Sequence, residues 1–280
     1  AEAQPKALLG GADFYPSPER PIGWLGDWTG RFRGAKDFVL EWDAKTGSNI
    51  LWKTELPSWG GHSSPIVVGP STSSGQAKVF LTCERDFTVC LDADTGKILW
   101  SKEAKGKSPG KGIYHNAYGD TYGTVCSDGQ ALYVVHYNGV VLSYDFDGNV
   151  RWRVDNHAYG RAAFSPILMD GKFIVREGPF NNKDGYLLSG MAAYACKDGA
   201  KLWFTDKARV GYWHARGDAP MWVGGEPYVV TSLGQFFNAR TGALVATVEK
   251  LHGCQFSLWI PAVENDRVVL AYNVDYVKEW

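Results

Sequence analysis

The fold of this chain is decided by the stretch Leu91-Asp92-Ala93-Asp94-Thr95-Gly96-Lys97-Ile98-Leu99-Trp100, because copies of it recur along the sequence. The copies align on their glycines, which are Gly47, Gly96, Gly148, Gly199 and Gly242. Successive glycines therefore lie 49, 52, 51 and 43 residues apart. A period of this size, carried by short strands and turns, is typical of a propeller or a solenoid.

Each copy predicts a β-hairpin. The alternating apolar residues Phe87, Val89 and Leu91 suit a half-buried strand, and the Asp and Thr-Gly residues that follow supply a tight turn in which glycine takes a positive φ. A second strand then leaves the turn and ends on Trp100. The repeated unit is a hairpin that closes on a large aromatic residue in most copies.

A second repeated unit, two apolar runs split by a polar turn, stands upstream of most copies. One example is Ser64-Pro65-Ile66-Val67-Val68 followed by Val79-Phe80-Leu81-Thr82. Two hairpins per period make four strands, which is the blade of a β-propeller. The sequence predicts an all-β propeller of four-stranded antiparallel blades, with four complete blades near residues 64–103, 123–155, 165–207 and 219–248.

The propeller begins and ends on half-blades. Residues 38–55 hold an Asp-to-Trp hairpin without an upstream partner, and residues 260–273 hold an upstream hairpin without its Asp-to-Trp partner. The two halves either join as a shared fifth blade, or more chain follows Trp280 and the ring has seven or eight blades. We expect at least five blades and favour the larger ring.

We expect two regions in the chain. Residues 1–37 are rich in Gly, Pro and Arg and show no sustained period. They predict an N-terminal arm that packs over the propeller, anchored by Trp24 and Trp28, and residues 38–280 form the propeller domain.

Charge and composition exclude several classes of function. The 280 residues carry 29 Lys and Arg against 30 Asp and Glu, a net charge of −1, which favours neither nucleic acid nor an anionic membrane as partner. No apolar run approaches the ~18 residues that a membrane helix needs. The chain opens at Ala1 without a methionine, like a mature end left by signal-peptide removal, so we expect a periplasmic or extracellular protein.

The five cysteines include no Cys-x-x-Cys and no haem attachment motif, which excludes a fused c-type cytochrome within this stretch. Cys83 and Cys90 flank one hairpin turn. They either face each other as a disulfide or remain buried thiols, and we expect thiols.

The repeat resembles the pyrroloquinoline-quinone-like repeat family of β-propellers. The resemblance rests on the copy that ends at Trp100 and on the spacing of Gly148 to Trp152 and of Gly199 to Trp203. The opening Gly26-Asp27-Trp28-Thr29-Gly30 is similar to exported bacterial members, and the resemblance covers roughly residues 24–275.

The resemblance implies a structural role for the motif tryptophans. Each is expected to dock over the glycine of a neighbouring motif and so to join adjacent blades. The residues that inherit this role are Trp52, Trp100, Trp152 and Trp203. The last copy departs from the pattern, because Ala246 stands where tryptophan is expected.

The same family contains quinoprotein dehydrogenases and non-catalytic scaffolds, among them an outer-membrane assembly lipoprotein. The dehydrogenases carry adjacent cysteines beside the quinone and a bound Ca²⁺, and this chain has no adjacent cysteine pair. The acidic run 145–149 resembles a Ca²⁺ loop but coincides with the repeated turn. We therefore expect a non-catalytic scaffold that binds other proteins, with no catalytic residue, no metal and no cofactor. The alternative is an oxidoreductase that uses pyrroloquinoline quinone with Ca²⁺, or a binder of small ligands or glycans.

Propeller geometry predicts where a ligand would bind. Loops that enter the innermost strands, and loops between second and third strands, converge on one mouth of the central channel. The candidate ligand-binding residues at this mouth are His62, Glu84, Arg85, His136, Asn138, Arg161, His214, Arg216 and Asp218.

Overall fold

A computed structural model describes twelve stretches of the chain: residues 7–36, 38–58, 63–69, 75–84, 86–106, 123–136, 138–155, 165–181, 187–210, 218–248, 262–264 and 267–269. Regular structure within these stretches is entirely β. None of the elements described is a helix of the length and apolarity needed to cross a bilayer.

The strands fall into the predicted hairpins. In chain order they are β1 (Ile66–Val68), β2 (Lys78–Cys83), β3 (Phe87–Asp92), β4 (Ile98–Glu103), β5 (Cys126–Ser127), β6 (Leu132–Val135), β7 (Val140–Tyr144), β8 (Val150–Asp155), β9 (Ile167–Met169), β10 (Lys172–Asn181), β11 (Leu187–Ala195), β12 (Lys201–Thr205), β13 (Arg209–Val210), β14 (Asp218–Val223), β15 (Glu226–Thr231), β16 (Gln235–Asn238), β17 (Leu244–Thr247), β18 (Ala262–Glu264) and β19 (Arg267–Val269).

Four antiparallel sheets form the blades, and in each the strands follow one another in chain order. Blade 1 is β1-β2-β3-β4, blade 2 is β5-β6-β7-β8, blade 3 is β9-β10-β11-β12 with β13 added on β11, and blade 4 is β14-β15-β16-β17. Strands β18 and β19 pair as a separate hairpin. The prediction of an all-β propeller with four-stranded blades is confirmed.

The first strand of each blade lies nearest the channel. Strand β9 contacts both β5 and β14, and β14 contacts β18, so these strands succeed one another around the centre. The hydroxyls of Thr124 and Ser165, just ahead of β5 and β9, lie 3.2 Å apart and link blades 2 and 3 there. The fourth strands β4, β8, β12 and β17 carry most of the exposed positions and form the outer rim.

The repeated motif builds the turn between the third and fourth strands. In blade 1 the carboxylate of Asp92 accepts hydrogen bonds from the Thr95 backbone N–H at 2.8 Å and from its hydroxyl at 2.7 Å. These bonds, the hydroxyl first, lower the pKa of Asp92. Gly96 follows at a φ of 70°, where glycine is favoured, and its N–H donates to the Asp92 carbonyl. The motif Asp is therefore a turn residue.

The cysteines of blade 1 do not face each other. Across β2 and β3, Cys83 is opposite Phe87 and Cys90 is opposite Phe80. Both are buried thiols, as are Cys126 and Cys196. Burial raises the pKa of Cys90 to about 12, which keeps that thiol protonated and unreactive.

Residues 38–58 differ from the sequence prediction. The turn forms, with the Gly47 N–H donating to the Asp43 carbonyl at 2.9 Å, but no strand occurs among these described residues. Leu40 is 85% exposed and Leu51 is 91% exposed. The physical reason is that a two-stranded hairpin is at best marginally stable in water unless further strands or a helix pack against it.

Candidate functional site

Motif tryptophans and glycines meet at four places, one between residues 38–58 and blade 1 and three at the junctions between successive blades 1 to 4. The ring of each tryptophan covers the glycine of the following motif so closely that an added β-carbon would clash with the ring. The pairs are Trp52 with Gly96, Trp100 with Gly148, Trp152 with Gly199, and Trp203 with Gly242. Glycine is required at these positions both for its positive φ and for the space that the indole occupies.

Each indole also donates its N–H to the turn that it covers. The acceptors are the carbonyls of Ala93 for Trp52 at 2.9 Å, Phe146 for Trp100 at 3.1 Å, Cys196 for Trp152 at 2.9 Å and Ala239 for Trp203 at 3.0 Å. A partner for the N–H is what makes burial of an indole favourable. The tryptophan thus ties one blade to the next by packing and by a hydrogen bond.

The junction between blades 1 and 2 is also held by polar contacts at the predicted mouth, at the end away from Trp100. The Asn138 side chain donates to the Ala104 carbonyl at 2.6 Å, and the Asn138 backbone N–H donates to the Asp86 carboxylate at 3.3 Å. Asn138 is buried. Its side chain therefore joins blades 1 and 2.

His136 is fully buried between the same two blades. Its Nε2 lies 3.2 Å from the Thr88 hydroxyl of blade 1, and its Nδ1 lies 4.0 Å from the Asp86 carboxylate. Burial, with a smaller contribution from the Arg153 guanidinium, lowers the pKa of His136 to about 3. The imidazole is neutral at physiological pH and faces blade 1.

Asp218, at the start of β14, forms a buried ion pair across a blade junction. Both of its carboxylate oxygens accept from Arg176 of β10, at 2.7 Å from Nε and 2.7 Å from Nη2. Two parallel bonds of this kind form a strong, orientation-specific pair. The pair holds blades 3 and 4 together near the channel.

Sequence reasoning missed Arg176 and the neighbouring Glu177. Glu177 is buried too, accepting from the Tyr194 hydroxyl at 2.8 Å and from the Lys201 ammonium at 2.6 Å. The signal was present in the sequence, because two charged residues follow directly on the apolar run Phe173-Ile174-Val175. Buried charges are normally paired, so such a placement indicates a partner elsewhere in the chain.

Of the other six predicted mouth residues, the structure describes one. Glu84 lies in the turn between β2 and β3 and is partly exposed. The remaining five lie outside the described residues: His62, Arg85, Arg161, His214 and Arg216. The structure thus brings Asn138 and His136 together at one junction and places Asp218 at another, and ligand binding by any of them stays a prediction.

Two carboxylates that a Ca²⁺ site could have used, those of Asp218 and Asp145, are already engaged by other groups. Asp218 is satisfied by a guanidinium, a cation that a bound Ca²⁺ would repel. The Asp145 carboxylate is used by its own turn, accepting from the backbone N–H of Asp147 at 2.9 Å and of Asn149 at 2.8 Å. Within the described stretches no three His, Cys, Asp or Glu side chains are grouped to hold a metal ion.

The solved structures to which the chain is similar include an alcohol dehydrogenase and an assembly factor. Quinohemoprotein alcohol dehydrogenase from Comamonas testosteroni matches at 14% identity and a TM-score of 0.46, over 69% of this chain and 35% of that one. BamB from Moraxella catarrhalis matches at 16% identity and a TM-score of 0.37, over 78% of this chain and 68% of that one.

Sequence comparison is more direct. The outer membrane protein assembly factor BamB of Yersinia pestis is 26% identical over 182 residues, which take in 57% of this chain and 44% of that protein. The chain thus spans less than half the length of this curated relative. The family described as outer membrane protein assembly factor BamB matches residues 35–205 and 85–250, which together make up more than half of the sequence. This chain is therefore a member of the outer membrane protein assembly factor BamB family.

Proposed function

We propose that this chain is a non-catalytic, exported propeller that binds other proteins as a subunit of an envelope-associated assembly. The family to which it belongs, and the curated relative from Yersinia pestis, are both described as an outer membrane protein assembly factor. By this proposal the protein works in the periplasm or outside the cell, needs no cofactor and has proteins as its partners.

One observation supports the scaffold role most. The predicted mouth residues with buried side chains point into blade junctions: Asn138 and His136 between blades 1 and 2, and Asp218 against Arg176 between blades 3 and 4. A general acid or base has to come within hydrogen-bonding reach of its substrate. Groups enclosed between blades instead make a rigid frame that presents loops.

The partner surface in this proposal is the mouth formed by the turns between second and third strands. Its described parts include Glu84 after β2 and Ser232 after β15, both partly exposed. Loops that are carried on a rigid scaffold are the usual place for binding. The opposite end carries the motif turns, where Asp94 is exposed and suited to serve as a control.

The test is recovery of a defined complex from the natural source. A tagged chain is expressed there, the envelope fraction is isolated and cross-linked mildly, and the mass of the purified complex is measured. We expect one complex of fixed stoichiometry, with recovery reduced by Glu84→Arg or Ser232→Arg and unchanged by Asp94→Arg. A monodisperse monomer after cross-linking, or location in the cytosol, would contradict the proposal.

Addition of pyrroloquinoline quinone and Ca²⁺ tests the oxidoreductase alternative. The scaffold proposal predicts no shift of the quinone absorption spectrum and no dye-linked oxidation of alcohols or sugars. A saturable spectral shift together with dye reduction would favour the enzyme.

A further inference from the structure

Three contacts attach the N-terminal arm to blades 2 and 3. Ile22 and Ser127 exchange backbone hydrogen bonds of 2.8 Å, which pins the arm to the end of β5. The Tyr15 hydroxyl donates to the Gly129 carbonyl at 2.9 Å in the next turn. The buried indole of Trp28 donates to the Pro166 carbonyl at 3.0 Å, ahead of β9.

A cavity of about 480 Å³ remains between this arm and blades 3 and 4. Its size is that of a site for a small molecule. Apolar and aromatic walls come from both sides, with Phe14 and Trp28 on the arm, Leu168 and Met169 at the end of β9, and Met221 and Trp222 at the end of β14. The cavity therefore exists only where the arm lies against the propeller.

The charges around this cavity are mostly negative. Among the described residues, its wall includes the carboxylates of Glu19, Asp27 and Asp170 and one cationic side chain, that of Arg20. The Arg20 guanidinium is engaged within the arm, since Nη2 donates to the Ala7 carbonyl at 2.5 Å and the group lies 4.9 Å from the centre of the Phe14 ring. Asp170 is already balanced by Lys172 and Arg240.

Asp27 is the carboxylate of the cavity wall that we consider for binding a cation. Its Oδ1 accepts from the Thr29 backbone N–H at 3.1 Å and from the Thr29 hydroxyl at 2.5 Å, which fixes the orientation of the carboxylate. Trp222, on the other wall, is 48% exposed. A cation prefers the face of an aromatic ring, tryptophan most of all, and is attracted by a nearby carboxylate.

We propose that this cavity binds an organic cation with an apolar body, such as a primary amine carried on an aromatic or branched aliphatic frame. Asp27 receives the ammonium group, beside Glu19, whose carboxylate already accepts from the Ser17 hydroxyl at 2.9 Å, and Trp222, Met221 and Leu168 line the apolar part. The site lies at the opposite end of the channel from the proposed partner surface, and it does not depend on the scaffold role.

Two probes with the same phenylethyl body and opposite charge test the proposal on the full chain. Binding of phenethylamine and of 3-phenylpropionate is measured by isothermal titration calorimetry and by saturation-transfer NMR. We expect saturable binding of the amine at about 1 mM or tighter, a range that such titrations reach, and at least tenfold weaker binding of the acid.

Variants locate the site. Asp27→Asn removes the charge but keeps an oxygen for Thr29, and we expect it to weaken amine binding about fivefold. Trp222→Leu removes the aromatic face at an exposed position and should weaken binding about two- to fivefold. Asp94→Asn, outside the cavity, should change nothing. The proposal is overturned if the amine fails to bind, if both probes bind equally, or if all three variants bind like the unaltered chain.

Discussion

The ring of Trp152 lies over the α-carbon of Gly199, so close that a β-carbon on this glycine would come within 2.6 Å of the ring atom Cε3. The same indole donates its N–H to the Cys196 carbonyl three residues earlier. Blade 2 thus contacts the turn of blade 3 through the packing of this ring on Gly199 and through one hydrogen bond. Stability at this point depends on both residues.

Gly199→Ala is expected to destabilise the protein by about 2 to 5 kcal/mol, because the methyl group meets the ring and the backbone has a positive φ. Gly47→Ala is the matched control. It changes the same motif position at a similar φ, with nothing within 4 Å of the new methyl group, and should cost only the backbone strain of about 1 to 2 kcal/mol. Equal midpoints for the two variants in urea unfolding would contradict the docking role.

Trp152→Ala is expected to cost about 3 to 5 kcal/mol, since it removes a large side chain that is 8% exposed. Trp42→Ala removes the same side chain where it is 69% exposed, and should stay within about 0.5 kcal/mol. Thermal and urea unfolding of the two proteins gives the comparison. A loss as large for Trp42→Ala would show that tryptophan content, rather than docking, governs stability.

Stability is expected to fall as the pH is lowered from 7 toward 5, partly through His136. Its pKa is lowered to about 3 in the folded chain, against 6.5 for the ordinary side chain. Below about pH 6.5 the unfolded chain therefore binds a proton that the folded chain excludes, and the free energy of unfolding drops by about 2 kcal/mol by pH 5.

His136→Gln removes this titration and keeps an amide next to Thr88. The charged and titratable groups around the imidazole, Asp86, Arg153 and Tyr144, are present in both proteins. We expect a shallower loss of stability between pH 7 and pH 5 in the variant. Parallel pH profiles would mean that His136 takes up its proton without unfolding.

Asp218→Asn is expected to cost about 3 to 5 kcal/mol, because it leaves the charge of Arg176 buried without its counterion. Replacing both partners, as Arg176→Met with Asp218→Leu, should recover most of that loss. Asp155→Asn serves as the control, because its ion pair with Arg153 is exposed and contributes about 1 kcal/mol or less. If the double variant is no more stable than Asp218→Asn, the buried unpaired charge of Arg176 is not the cause of the loss.

The blades were predictable because their information is local. The motif Asp, the glycine at positive φ and the following tryptophan fix each hairpin within a few residues, and the pattern repeats. The half-blade expected at residues 38–55 was not, because the hairpin pattern is present there while the described residues 38–58 form no strand. A strand is a property of two segments, and the sequence of one does not supply the other.

The candidate site was harder to predict from the sequence, because its contacts join residues of different blades. His136 and Asn138 are polar loop residues by sequence, and such residues favour a solvent-facing mouth. Their burial depends on Thr88, Asp86 and Ala104, which come from the preceding blade. The Arg176–Asp218 pair joins residues 42 positions apart. No local pattern records which residues of two blades will meet.

The four tryptophan–glycine contacts all run in the same direction along the chain. Each of the four motif tryptophans reaches toward the turn of the blade that follows it, so blades 1, 2 and 3 each carry the contact to their successor. Along blades 1 to 4, these contacts couple each blade to its nearest neighbour in one direction along the chain. In the outer strand of blade 4, the position of the motif tryptophan is occupied by Ala246. We expect unfolding to start at this weakest coupling and to move back toward blade 1, one junction at a time.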